Sequence, residues 1–212
     1  MSVKPALAPT TAQIILETPN FYMRRLSPSD ASERIGAWFE QPEVAEGLNA
    51  EPVKKSVAEM QRWLASFDQH TNRVNGMFDK RNNMLVTLGN SQFNWEISRV
   101  MMNIVVGEES YRHAGVILEA TVPVRDFYFD VMNMKVITGT ALATNRPILA
   151  FMESTGFTRM ETLKNFKTSK HTGKQVDLHL YALTREAWAD WKSRNGDTIE
   201  AIRDCSARLP VL

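Results

Sequence analysis

The segment Gly107 to Ala120, GEESYRHAGVILEA, holds the residues best placed to do chemistry. An apolar run, Ile104-Val105-Val106, leads into it, and a helical pattern follows it directly. The backbone N–H groups at a helix start have no partners of their own and carry the positive end of the dipole. A strand–loop–helix turn of this kind binds phosphate or pyrophosphate, and Gly115 lets such a ligand approach the backbone. By itself Arg112-x-x-Gly115 also suits a purely structural turn. Histidine is a residue type used for proton transfer, but the loop position of His113 suits contact with phosphate better. His70, His171 and His179 lack ligand spacing, so no metal site is expected.

Several elements must position that turn. A strand is expected at Phe21–Leu26, then a helix capped by Ser29 or Asp30 that runs to Gln41, where Pro42 stops it. A second helix is expected at Val53–Asp68, with Val57, Met60, Trp63, Leu64 and Phe67 on one stripe. Strands follow at Asn75–Asp79, Met84–Ser91 and Ile97–Val106, the first two joined by a hairpin turn at Lys80–Asn83. Arg112–Val131 reads as a helix made irregular by Pro123. A strand at Lys135–Leu142 and a helix at Pro147–Ser154 come next, the helix closed by Gly156. Strands at Phe157–Phe166 and Val176–Leu183 precede a last helix that starts at Thr184. This order gives one α/β domain over residues 14–194 with a mixed sheet, a lead-in at 1–13 and a tail at 195–212. Ile199, Ile202 and Leu209 give the tail an apolar side that would pack on the domain or across a homodimer.

Composition excludes whole classes. Lys plus Arg total 25 against 24 Asp plus Glu, so the basic excess of a nucleic-acid binder is missing. No apolar run is long enough for a membrane span, and Met1–Thr11 lacks a signal peptide's apolar core, so a cytoplasmic protein is expected. The single cysteine, Cys205, excludes an internal disulfide framework.

Four ordered segments together resemble the GNAT superfamily of N-acetyltransferases, in the branch similar to ribosomal-protein N-terminal acetyltransferases. They are Leu16-Glu17-Thr18 with Met23–Ala31; Gly107-Glu108 through Tyr111-Arg112 to Gly115 and Glu119-Ala120; Asn145 with Glu153–Phe157; and Gly173, Asp177 and Leu183–Trp188. The resemblance implies a mostly antiparallel sheet of about seven strands flanked by helices. It also implies acetyl-CoA between the fourth and fifth strands, with no metal. Val105 and Val106 would hold the pantetheine, and Arg112, His113, Ala114, Gly115, Val116 and Ile117 would form the pyrophosphate loop. Asn145 would contact the pantetheine arm and could cap the following helix as well.

Three positions depart from the family's usual pattern. Ile117 stands where a small residue is usual, Met152 where many members carry a proton-donating tyrosine, and Met101 where a carboxylate is frequent. Glu96 then becomes the candidate base and Ser98 the candidate relay on the thiol side. The implied reaction is direct acetyl transfer to a primary amine, on a protein or peptide N-terminus. Two alternatives are a small-molecule amine, which an acidic acceptor cleft would favour, and a non-catalytic GNAT-fold binding protein.

Overall fold

The computed structural model describes residues 14–196, so the lead-in, the tail helix and Cys205 lie outside the described residues. Fourteen elements run in the order β1 (Ile14–Glu17), β2 (Phe21–Arg25), α1 (Glu33–Trp38), α2 (Pro42–Leu48), α3 (Val57–Ala65), β3 (Asn72–Asp79), β4 (Leu85–Asn94), β5 (Arg99–Val106), α4 (Ala114–Asp126), β6 (Val136–Leu142), α5 (Arg146–Ser154), β7 (Thr158–Thr168), β8 (Gln175–Thr184) and α6 (Arg185–Arg194). The eight strands form one sheet in the order β1-β2-β3-β4-β5-β6-β8-β7. Every neighbouring pair is antiparallel except β5 and β6. The expected α/β fold with a mostly antiparallel sheet is therefore present, and β1 raises the strand count to eight.

Local chemistry explains most differences from the expected boundaries. Ser32, rather than Ser29 or Asp30, caps α1, because Ser27–Asp30 closes a turn of its own. In that turn the Asp30 carboxylate accepts from the Ser27 N–H and pairs with Arg24 at 2.5 Å. Pro42 does not only stop a helix; it occupies the first turn of α2, where its missing N–H costs nothing. The Lys80–Asn83 hairpin forms as expected, with Asn83 in the left-handed region at φ 58°. The long helix begins at Ala114 rather than Arg112. Beyond Pro123 it loosens into a π turn at Phe127–Val131.

Helices cover both faces of the sheet. On one face, Trp38 of α1 and Met60 and Leu64 of α3 pack on Tyr22, Val74, Phe78, Leu85 and Leu88. A bulge at Leu85–Thr87 opposite Met77 and Phe78 puts Leu85 and Leu88 on the same face despite their odd spacing. On the other face, Val122 and Val124 of α4, Met152 of α5 and the stacked Trp188 and Trp191 of α6 cover Val100, Ile137, Tyr181 and Leu183.

The one parallel pair shapes the site. Strands β5 and β6 pair only at Arg99–Met101 against Val136–Thr138. Beyond that point β5 continues along β4 as far as Val106, and β6 continues along β8 as far as Leu142. The sheet therefore splits, and the strands' inner edges lose their hydrogen-bond partners. Such edges require a ligand or water.

Candidate functional site

The loop before α4 is held from three sides. The Trp38 indole lies against Gly107, where a Cβ would stand 1.8 Å from the ring, so only glycine fits. Trp38 Nε1 donates to Glu108 Oε1 at 2.9 Å, and Arg34 pairs with the same carboxylate. Tyr111 is fully buried, and its hydroxyl donates to Asp79 Oδ2 at 2.7 Å. Burial pushes the Asp79 carboxyl up, but hydrogen bonds from Arg81 and Tyr111 outweigh it and leave it below the usual carboxylate range. Arg112 donates to the Val106 and Gly107 carbonyls at 3.1 and 2.9 Å and to Gln41. Its guanidinium thus fastens the loop to the end of β5 and to the start of α2.

This clamped loop delivers the N-terminus of α4. His113 occupies the cap position without a side-chain cap bond, and the first helical bond runs from the Ile117 N–H to the His113 carbonyl. The N–H groups of Ala114, Gly115 and Val116 are therefore left without helix partners. A Cβ at Gly115 would meet only the His113 ring, at 3.4 Å, so the outer side of this turn is open. Unpartnered N–H groups at an open glycine match the chemistry of a pyrophosphate.

A cavity of about 610 Å³ fills the split between β5 and β6. Met102, Asn103 and Ile104 of β5 and Thr140, Ala141 and Leu142 of β6 form its strand walls. On one side it reaches Thr121 and Arg125 of α4 and Phe151 and Met152 of α5; on the other it reaches Gly47–Asn49, Lys167, Thr168 and Lys170. The cavity therefore reaches residues on both sides of the split. Asn145 stands between them. Its Oδ1 accepts from the Ile148 N–H at 3.4 Å, capping α5, and its Nδ2 lies beside Gly47. Asn49, in the left-handed region at φ 51°, joins the second face: Nδ2 donates to the Thr168 carbonyl at 3.0 Å, and Oδ1 accepts from the Lys170 N–H at 2.9 Å.

The charge lining this cavity has one sign. Among the described residues its ionisable wall residues are Arg125, Lys167 and Lys170, with no Asp, Glu or His. Arg125 is 2% exposed, and burial pushes its guanidinium down to about 9. It remains charged at neutral pH.

The sequence-predicted residues divide into two groups. Val105, Val106, Arg112, His113, Ala114, Gly115, Val116 and Ile117 lie consecutively along the end of β5, the clamped loop and the first turn of α4, and Asn145 lines the cavity. Glu96 and Ser98 are elsewhere. They sit in the turn between β4 and β5, at the end of β5 where it still pairs with β6, and neither lines the cavity. Ser98 instead accepts the Lys135 N–H on its carbonyl. The candidate base Glu96 is exposed on this turn rather than directed into the cavity. Sequence reasoning missed Arg125, whose only signal is that it is the one basic residue of α4. It also missed α2 with its Gly47–Asn49 rim.

A family model described as an acetyltransferase (GNAT) domain matches residues 20–158. No curated protein matches the sequence. Solved structures share the fold at low identity. A ribosomal-protein-S5-alanine acetyltransferase from Vibrio fischeri is 15% identical with a TM-score of 0.67, covering 82% of this chain and 97% of that one. A spermidine N-acetyltransferase from Vibrio cholerae, in complex with CoA and spermine, is 15% identical with a TM-score of 0.69, covering 81% and 99%. A GCN5-related N-acetyltransferase from Brucella melitensis is 16% identical with a TM-score of 0.71, covering 85% and 82%.

Proposed function

Because this chain belongs to the GNAT acetyltransferase family, we propose that it moves the acetyl group of acetyl-CoA directly onto the α-amine of a protein or peptide N-terminus. When bound, the cosubstrate supplies an activated thioester carbonyl. The N–H groups of Ala114–Val116 would hold its pyrophosphate, and Asn145 and the free edge at Met102–Ile104 would hold its arm. The acceptor would enter from the opposite face, between Asn49 and the turn that follows β7.

The observation that carries this reading is the cavity lining: among the described residues, three cations and no carboxylate or imidazole. Attack on a thioester needs a neutral amine. Neutralising an α-amine of pKa near 8 at pH 7 costs about 1.4 kcal/mol, whereas a lysine amine near 10.4 costs about 4.6. A wall without a base suits the first. It also disfavours a polyamine such as the one named with the Vibrio cholerae structure, because Lys167 and Lys170 would repel a polycation. A non-catalytic binding role is the second reading, favoured by the same lack of a base.

Matched peptides separate these readings. We expect acetylation of free N-termini with a kcat/KM at least about tenfold above that of N-blocked peptides carrying lysine, and above that of spermidine. Comparable rates on lysine side chains or on spermidine would overturn the assignment. Acetyl-CoA binding without turnover on any amine would support the binding-protein reading instead.

A further inference from the structure

Arg125 is a buried cation that the acetyl-transfer reading leaves without a task. It lies on α4, two helical turns beyond the first turn and one turn after Thr121, which lines the same cavity. Its guanidinium donates to the Thr155 carbonyl at 3.4 Å, and its Nε has no partner. The rings of Phe157, Trp188 and Phe151 stand 5.0, 5.2 and 5.4 Å away and soften the burial without neutralising the charge. The adjacent carboxylate, Asp126, is engaged elsewhere: Oδ1 accepts from Trp188 Nε1 at 2.8 Å and from Lys192 Nζ at 2.5 Å. Among the described residues no carboxylate bonds this guanidinium directly, Asp126 acting on it only through space, and a buried charge so placed is unfavourable.

Position limits which anion it can serve. Eleven residues of helix separate Ala114 from Arg125, roughly 16 Å of rise, so a pyrophosphate on the first turn is out of reach. Arg125 shares the cavity wall with Phe151 and Met152 of α5, away from the Asn49–Thr168–Lys170 contacts, which in the proposed placement puts it on the donor's side. In that placement the thioester end of the donor is what would reach it. We infer that Arg125 anchors a carboxylate at the far end of the acyl group, so that this chain takes acyl-CoA thioesters of dicarboxylic acids in preference to uncharged ones.

The reaction keeps the same balance. The neutral amine nitrogen forms a bond to the thioester carbonyl carbon and the C–S bond breaks. The nitrogen's proton is released as the thiol takes one up, giving CoA and an amide that ends in a carboxylate. This inference rests on the donor assignment of the cavity and widens it to charged acyl groups.

Calorimetric titration without acceptor tests it, with succinyl-CoA and butyryl-CoA as probes of similar length that differ in charge. We expect succinyl-CoA to bind the full chain at least about tenfold more tightly, a difference of about 1.4 kcal/mol. In Arg125→Met the two should bind within about twofold of each other, and Arg125→Lys should retain part of the preference. Equal affinities in the unaltered protein would overturn the inference while leaving the donor site intact. Failure of both probes to bind would overturn the donor site itself. The unaltered protein decides between these outcomes even if a variant does not fold.

Discussion

Gly115→Asp separates a folding defect from an electrostatic one, because the two predicted effects have opposite signs. Gly115 is the second residue of α4, and its missing Cβ would meet only the His113 ring at 3.4 Å, an ordinary contact. The fold can therefore accept the new side chain. Aspartate in a first turn complements the helix dipole by about 0.3–1 kcal/mol, and it also has a better helix propensity than glycine. Thermal stability should rise or hold. Ligand binding should collapse, because the carboxylate takes the place where the pyrophosphate is proposed to sit. With about 5 Å between the charges and an effective dielectric near 20, each pair of unit charges repels by about 3 kcal/mol. That corresponds to a Kd for acetyl-CoA roughly two orders of magnitude weaker. Calorimetry gives the affinity and a thermal melt the stability. A variant that folds at least as well and still binds acetyl-CoA like the unaltered protein would refute the placement of pyrophosphate on α4.

Three further outcomes follow from the contacts described. Asn49→Gly keeps the left-handed backbone but removes both bonds to the β7–β8 turn, so acceptor KM should rise severalfold, more than the Kd for acetyl-CoA changes. Gly107→Ala would drive a Cβ into the Trp38 ring and should cost about 2–3 kcal/mol in urea unfolding. Asp79 has a folded-state pKa below its unfolded value near 3.9, so its contribution is complete above about pH 4 and is lost as pH falls further. Asp79→Asn should lower stability at pH 7 by about 3 kcal/mol, and acid unfolding curves should show a flatter loss of stability below pH 4 in this variant.

The sequence by itself determined the elements whose causes are local. The hairpin at Lys80–Asn83, the helix that ends at Gly156 and the strand–loop–helix turn at Gly107–Ala120 are legible because turn residues, caps and apolar periods act within a few positions. An anion-binding geometry at that turn and a cap at Asn145 are legible for the same reason, whereas their roles toward a CoA thioester rest on the family resemblance. The chemistry of the cavity is not legible in this way. Glu96 is a sound base by residue type, yet β5 pairs with β6 for only three residues at that end and opens at the other, so Glu96 lies away from the split. Arg125, Asn49 and Lys170 come from distant parts of the chain, and nothing within each segment marks them as neighbours of one space. Which strands diverge depends on the competing partners β4 and β8, and which charges then share a cavity follows from that divergence. Pairing of this kind is long-range, and only the folded chain decides it.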